Sequence, residues 1–162
     1  MLSPAHIQII LQIKERLALG HPLWAVTGST SFALQGLDIP VHDIDIQTDA
    51  DGAYFFARLF SEYIIEPVHF CGTDQIRSHF GRFLWDGILI EVMGDVQKPE
   101  LDGTWGSPTD LLRWRRYVTL QDRQIPVLDL RYEADAYRRL GRLERAEQLE
   151  RFCAGNRYDL VD

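Results

Sequence analysis

The chain has 162 residues, of which 46% are hydrophobic and 25% charged, and its formal net charge is −7. That is one domain's length of soluble-type sequence with enough apolar residues for a core. The acidic balance argues against generic nucleic-acid binding, which needs a basic footprint, and no apolar run reaches the ~18 residues of a membrane span.

The opening segment, "MLSPAHIQIILQIKERLALG", spaces Ile7, Ile10, Leu11, Ile13 and Leu17 as one helix face, with Gly20 and Pro22 ending it. It lacks the small-residue cleavage site of a signal peptide, so a cytoplasmic location is expected. "LWAVTG" reads as a short strand breaking at Gly28, and "SFALQGL" as a short helix after it. "DIDIQT" alternates with period two and reads as a strand. "DGAYFFARLFSEY" is expected to be a helix opened by Asp51. Strands are expected near residues 64–70, 76–85 and 88–93, the last two joined by the hairpin signal Asp86-Gly87.

The loop "GDVQKPELDGTWGSPTD" is long and rich in Gly and Pro, a composition suited to a pocket wall. Its end, Ser107 to Asp110, resembles a capping box with Pro at the first helical position, so a short helix should follow. "YVTLQDRQIPVLDL" reads as a hairpin turning near Asp122. From Leu130 to about Cys153 the chain is expected to be helical, broken at Gly141. The result is a single α+β (mixed α/β) domain over 1–162, with a core of about 20–128 and a C-terminal helical tail of about 129–155.

Three features carry chemistry. Side chains i and i+2 of a strand share a face, so Asp43 and Asp45 point one way while Ile44 and Ile46 point into the core. Two carboxylates so close repel each other, and a divalent cation between them turns the repulsion to use. Mg²⁺, or Mn²⁺, held by carboxylates and substrate phosphates is the usual arrangement in phosphate chemistry. Gly28-Ser29 lies where a strand passes into a helix. Free N–H groups there attract anions, Gly admits a phosphate close to the backbone, and Ser29, Thr30 and Ser31 add hydroxyls; a plain Ser N-cap is the competing reading. Glu91 is the lone charge in "GILIEVMG". A carboxylate there must be paired, metal-bound or at an edge.

The order of apolar strand, Gly-Ser, short helix, Asp-x-Asp strand and later strand with one carboxylate resembles the nucleotidyltransferase superfamily, whose fold is shared with DNA polymerase beta. The small bacterial members are the nearer likeness: minimal, toxin or antitoxin, and antibiotic-adenylylating nucleotidyltransferases. The resemblance covers roughly residues 24–96 well and the tail weakly. It implies a mixed sheet flanked by helices, with a C-terminal helical tail. It also implies that Gly28 and Ser29 meet phosphates, that Asp43 and Asp45 bind Mg²⁺, and that Glu91 completes the set and acts on the attacking hydroxyl.

Relatives often carry a tail lysine for phosphate. This tail has none, and Arg138, Arg139 and Arg142 are the nearest substitutes. The competing reading for these arginines is pairing with Glu144 and Glu147 on a solvated helix face. The implied reaction moves a nucleoside monophosphate from a nucleoside triphosphate to a hydroxyl of a small molecule or protein. An inactive nucleotide-binding partner of toxin–antitoxin type and a tRNA-modifying enzyme are the alternatives. The tRNA reading would rest on Arg113, Arg115 and Arg116 in "LLRWRRY". Oligomerisation stays open. No His/Cys pair has zinc spacing, and Cys71 and Cys153 are expected to be reduced thiols.

Overall fold

The structure, a computed structural model, describes residues 1–155. Helix α1 (Pro4–Leu17) starts where Ser3 accepts a hydrogen bond from the His6 N–H and Pro4 opens the first turn. It is followed by β1 (Trp24–Thr27), α2 (Gly28–Leu34), β2 (Ile44–Thr48) and α3 (Ala50–Leu59). Asp49, not Asp51, caps α3: its side chain accepts from the Gly52 N–H at 2.7 Å, and Asp51 lies in the first turn. Only the cap residue Asp49 separates β2 from α3, leaving no loop.

Strands β3 (Ile64–Gly72), β4 (Arg77–Trp85) and β5 (Ile88–Gln97) form a meander. The Asp86-Gly87 turn has both residues at positive φ, 49° and 77°, as a tight two-residue hairpin requires. Strand β5 runs four residues beyond the expected Met93. A short helix α4 (Leu111–Trp114) follows the long loop. Asp110 caps it and Ser107 does not, because Asp110 stands directly before the apolar turn and accepts from the Arg113 N–H. The second hairpin, β6 (Arg115–Leu120) and β7 (Arg123–Leu128), turns at Gln121-Asp122. The tail is α5 (Leu130–Arg139) and α6 (Leu143–Gly155), separated at Gly141, where φ is 76°.

The seven strands form one mixed sheet in the order β3-β4-β5-β2-β1-β7-β6. On one face Val26, Ile44, Ile46, Phe83, Ile90 and Val92 pack against Ile9, Ile10, Ile13 and Leu17 of α1 and Ala53, Phe56 and Phe60 around α3. A second cluster joins Phe32 of α2 to Leu130, Ala134, Leu149 and Cys153, which ties the tail helices to α2. Both cysteines are free thiols. No helix among the described residues is long and apolar enough to cross a membrane.

Candidate active site

Alternation along β2 and β5 leaves one face of the sheet polar. Ile44 and Ile46 are buried, so Asp45 turns to the other side. Strand β5 alternates through ten residues, burying Ile88, Ile90 and Val92 and leaving Glu91 and Met93 less covered. The two strands are parallel, and Asp45 is directly opposite Glu91. Asp45 also faces Thr27 across β1, while Glu91 faces Arg82 across β4. Thr27, Asp45, Glu91 and Arg82 thus form a polar row across four strands, which Glu66 extends onto β3.

Helix α5 closes over this row. A cleft of about 490 Å³ lies between them, lined by Thr27, Gly28, Asp45, Glu91, Lys98, Glu133, Tyr137 and Arg142, among others. Gly28 sits at its floor with φ of 68°, and a β-carbon there would lie 2.5 Å from Asp45 Oδ2. The positive φ favours glycine here, and any side chain would also push the Asp45 carboxylate aside.

The electrostatics are lopsided. Burial, and then the charges of Glu91, Asp43 and Glu133, push Asp45 up to about 7. Glu91 has a partial counter-charge in Arg82 Nη2 at 3.6 Å, and its side chain is 27% exposed. No Lys or Arg pairs with Asp45 among the described residues. Glu133 is buried; its carboxylate accepts from the Thr27 hydroxyl and from the Gly28 N–H at 3.1 Å. Burial pushes its pKa up, against those two hydrogen bonds and the charge of Lys98. Lys98 also donates to the Tyr132 hydroxyl at 3.2 Å, which is bonded to Thr109 of the long loop.

Of the residues singled out in the sequence, Gly28, Asp45, Glu91 and Arg142 meet in this cleft. Asp43 precedes β2, outside the lining, yet its charge reaches Asp45. The Thr30 hydroxyl donates to the Asp43 carbonyl at 2.6 Å, so it fixes the aspartate's backbone. Ser29 is half-buried in the first turn of α2 and is not the cap; Thr27 holds that position, with its hydroxyl on Glu133. Arg138 lies elsewhere, forked onto Glu150 at 2.9 Å, so its partner is neither Glu144 nor Glu147. Glu133, Lys98 and Tyr137 were not singled out. Glu133 reads as one more acid in a charged helix, and only its place on the α5 face turned to the sheet distinguishes it.

Among the described residues no three His, Cys, Asp or Glu side chains are already drawn together as a metal cage. The donor chemistry still suits a hard cation: Asp45 and Glu91 line a cleft with room for phosphate oxygens, Asp43 lies just outside it, and no Lys or Arg pairs with Asp45 among the described residues.

A mixed sheet with a glycine turn beside facing carboxylates on neighbouring strands defines a nucleotidyltransferase-like fold. The comparisons agree. Residues 9–151 match the family model of aminoglycoside-2''-adenylyltransferases, and the chain belongs to that family, within the nucleotidyltransferase superfamily. A crystal structure of a candidate nucleotidyltransferase from Thermotoga maritima is 47% identical, with a TM-score of 0.84 over 96% of this chain and 97% of that one. The lincomycin-bound lincosamide adenylyltransferase LnuA shares the fold at 13% identity, with a TM-score of 0.56 over 91% of this chain and 98% of its own. A search of curated proteins gives no significant match. The chain is a transferase of the nucleotidyl-transferring class.

Proposed function

We propose that the chain transfers a nucleoside monophosphate, with ATP the favoured donor from its family, to a hydroxyl of a small molecule. The observation that carries this reading is the direct opposition of Asp45 and Glu91 on parallel strands, above the Gly28 turn. Asp43, Asp45 and Glu91 would hold Mg²⁺ or Mn²⁺. When bound, the ion supplies positive charge to the triphosphate oxygens and to the hydroxyl being activated.

The chain's own residues do the rest. The turn from Gly28 to Thr30 orients the phosphates, with the Ser29 hydroxyl as a donor. Arg142 and Lys98 bring fixed positive charge to the cleft walls. Arg138, held by Glu150, takes part only if that pair opens. Glu91 takes the acceptor's proton as the acceptor oxygen bonds to the α-phosphorus, and the bond from that phosphorus to pyrophosphate breaks. Positioning and charge neutralisation supply most of the acceleration in such transfers. The carboxylates around the cleft also favour a cationic acceptor, and the family description names aminoglycosides.

The test is incubation with each labelled nucleoside triphosphate, Mg²⁺ and either a set of aminoglycosides or a cell extract. Labelled adduct with release of pyrophosphate is expected. Pyrophosphate release from no nucleotide under any of these conditions would overturn the reading.

A further inference from the structure

We infer that Glu133 is a positioning residue of the nucleotide site: it fastens the phosphate turn to helix α5 by accepting from Thr27 and Gly28 together. The inference rests on the nucleotidyl-transfer reading and adds a residue to that site.

Glu133 lies 4% exposed in the first turn of α5. A carboxylate in such a place needs strong partners, because burying an unpaired charge costs several kcal/mol. Its partners are the last residue of β1 and the first of α2. Those two residues define where the chain turns beneath the cleft. Beside the same turn, Asp45 Oδ2 lies 2.5 Å from the point a Gly28 β-carbon would occupy. The turn is therefore held by the tail carboxylate of Glu133, with the sheet carboxylate of Asp45 close beside it.

The resemblance implies that Gly28 and Ser29 meet phosphates. In the structure the Gly28 N–H is already committed to Glu133. A phosphate at the turn would then be met by groups further along α2, such as the Ser29 hydroxyl, whose direction follows from how Gly28 is held. Helix α5 also supplies Ala136 and Tyr137 to the cleft, and the link after it supplies Leu140 and Arg142. One contact at Glu133 sets the spacing between the phosphate turn and that wall.

The test compares Glu133→Ala, Glu133→Gln and Thr27→Val with the parent by two readouts. The first is hydrogen exchange at the Gly28 amide. The second is nucleotide KM against kcat at saturating nucleotide. A Gln oxygen can accept both hydrogen bonds, so Glu133→Gln is expected to keep Gly28 protected and KM within about threefold of the parent. Glu133→Ala leaves Gly28 unpartnered and is expected to speed its exchange and raise KM by roughly 10-fold or more, with a smaller change in kcat. Thr27→Val removes one anchor and should fall between them.

If Glu133→Ala fails to fold, Thr27→Val against Glu133→Gln decides the matter. Parent-like exchange and KM in Thr27→Val would then overturn the inference. So would parent-like values in a folded Glu133→Ala. A Glu133→Gln variant that loses kcat as severely as the alanine variant would also overturn it, by showing that the charge acts on the chemistry itself. Should the parent bind no nucleotide, the functional reading falls, and the exchange rates still report whether Glu133 holds the turn.

Discussion

Asp45 and Asp129 are both shielded carboxylates next to β1 and β7, strands that are neighbours in the sheet, yet their surroundings are opposite. Asp129 caps α5 and receives the Arg131 N–H and the guanidinium groups of Arg131 and Arg116, each ion pair at 2.8 Å. Burial alone would push its pKa up; the hydrogen bonds from Arg131 and Arg116 outweigh burial and hold it below the ordinary value. Asp45 has other carboxylates for neighbours and is pushed up to about 7. A structural carboxylate brings its own cations. One that is left without them, facing a cleft, stands ready for a cation that arrives with a ligand.

The largest effects should separate the two aspartates cleanly. Asp45→Asn is expected to lower nucleotidyl transfer by roughly 10³-fold, about 4 kcal/mol of transition-state stabilisation. The metal-free fold should be as stable as the parent or slightly more so, because a repulsion is removed. Asp129→Asn should do the reverse in stability, losing about 1–3 kcal/mol as its charge-assisted hydrogen bonds to Arg116 and Arg131 weaken. Thermal melts without metal beside steady-state rates measure both. An Asp45→Asn protein that melts well below the parent would erase the contrast, since Asp45 would then be structural too.

Titration sharpens the same comparison in metal-free protein. Asp45 has a native value near 7 against an ordinary 3.8. As pH rises through about 4 the unfolded chain sheds this proton first, while the native state keeps it until about 7. Its contribution therefore falls across that window and levels off above it. Asp129, with its native value lowered, contributes stability that is full above the ordinary carboxylate value and fades as pH drops through the native one. Denaturant melts from pH 3 to 8 should show Asp45→Asn flattening the loss between about pH 4 and 7 and Asp129→Asn removing the loss on the acid side. Identical pH profiles for the two variants would contradict the assigned environments.

The central strands were legible because their patterns are local. "DIDIQT" and "GILIEVMG" alternate, and period two dictates which side chains share a face. What sequence could not supply was register: that Asp45 lies opposite Glu91, and not one pair along, depends on how two parallel strands far apart in the chain align. The tail was legible as two helices split at Gly141 but not as a partner of the site. The acidic residues of "LRYEADAYRR" look alike in sequence, and the side that meets the sheet is fixed only by docking of Leu130 and Ala134. The caps at Asp49 and Asp110 were displaced from the expected positions for a similar reason. Several residues in each stretch were competent to cap, and the surrounding chain selected one.

Smaller effects are expected at the turn beneath Asp45. Gly28→Val forces a branched side chain into positive φ and against Asp45 Oδ2, so both stability and nucleotide binding should fall. Ser29→Ala should spare stability, since Thr27 occupies the cap position, and should weaken nucleotide binding by about 1.5 kcal/mol, one charge-assisted hydrogen bond. Calorimetric titration of nucleotide alongside melting curves distinguishes the two. Loss of about 1 kcal/mol of stability with unchanged binding in Ser29→Ala would mark it as an ordinary capping serine.

The smallest effects concern two tail arginines only four residues apart, and they extend the contrast between committed and available charge. Arg142 lines the cleft with its guanidinium 5.7 Å from the Tyr137 ring centroid. Arg138 is forked onto Glu150 on an exposed surface, with side chains 43% and 49% exposed. Arg142→Ala should raise nucleotide KM by roughly 10-fold, the scale of one hydrogen bond to a charged group, and leave the melting temperature close to the parent's. Arg138→Ala should leave KM unchanged and cost no more than about 1 kcal/mol, because exposed ion pairs contribute little. Raising salt should shrink the Arg142 effect by screening, and should leave Arg138→Ala indistinguishable from the parent in catalysis. If KM rises equally in both variants, the Arg138–Glu150 pair opens when nucleotide binds, and the tail presents two arginines to the phosphates rather than the single one that faces the cleft without nucleotide.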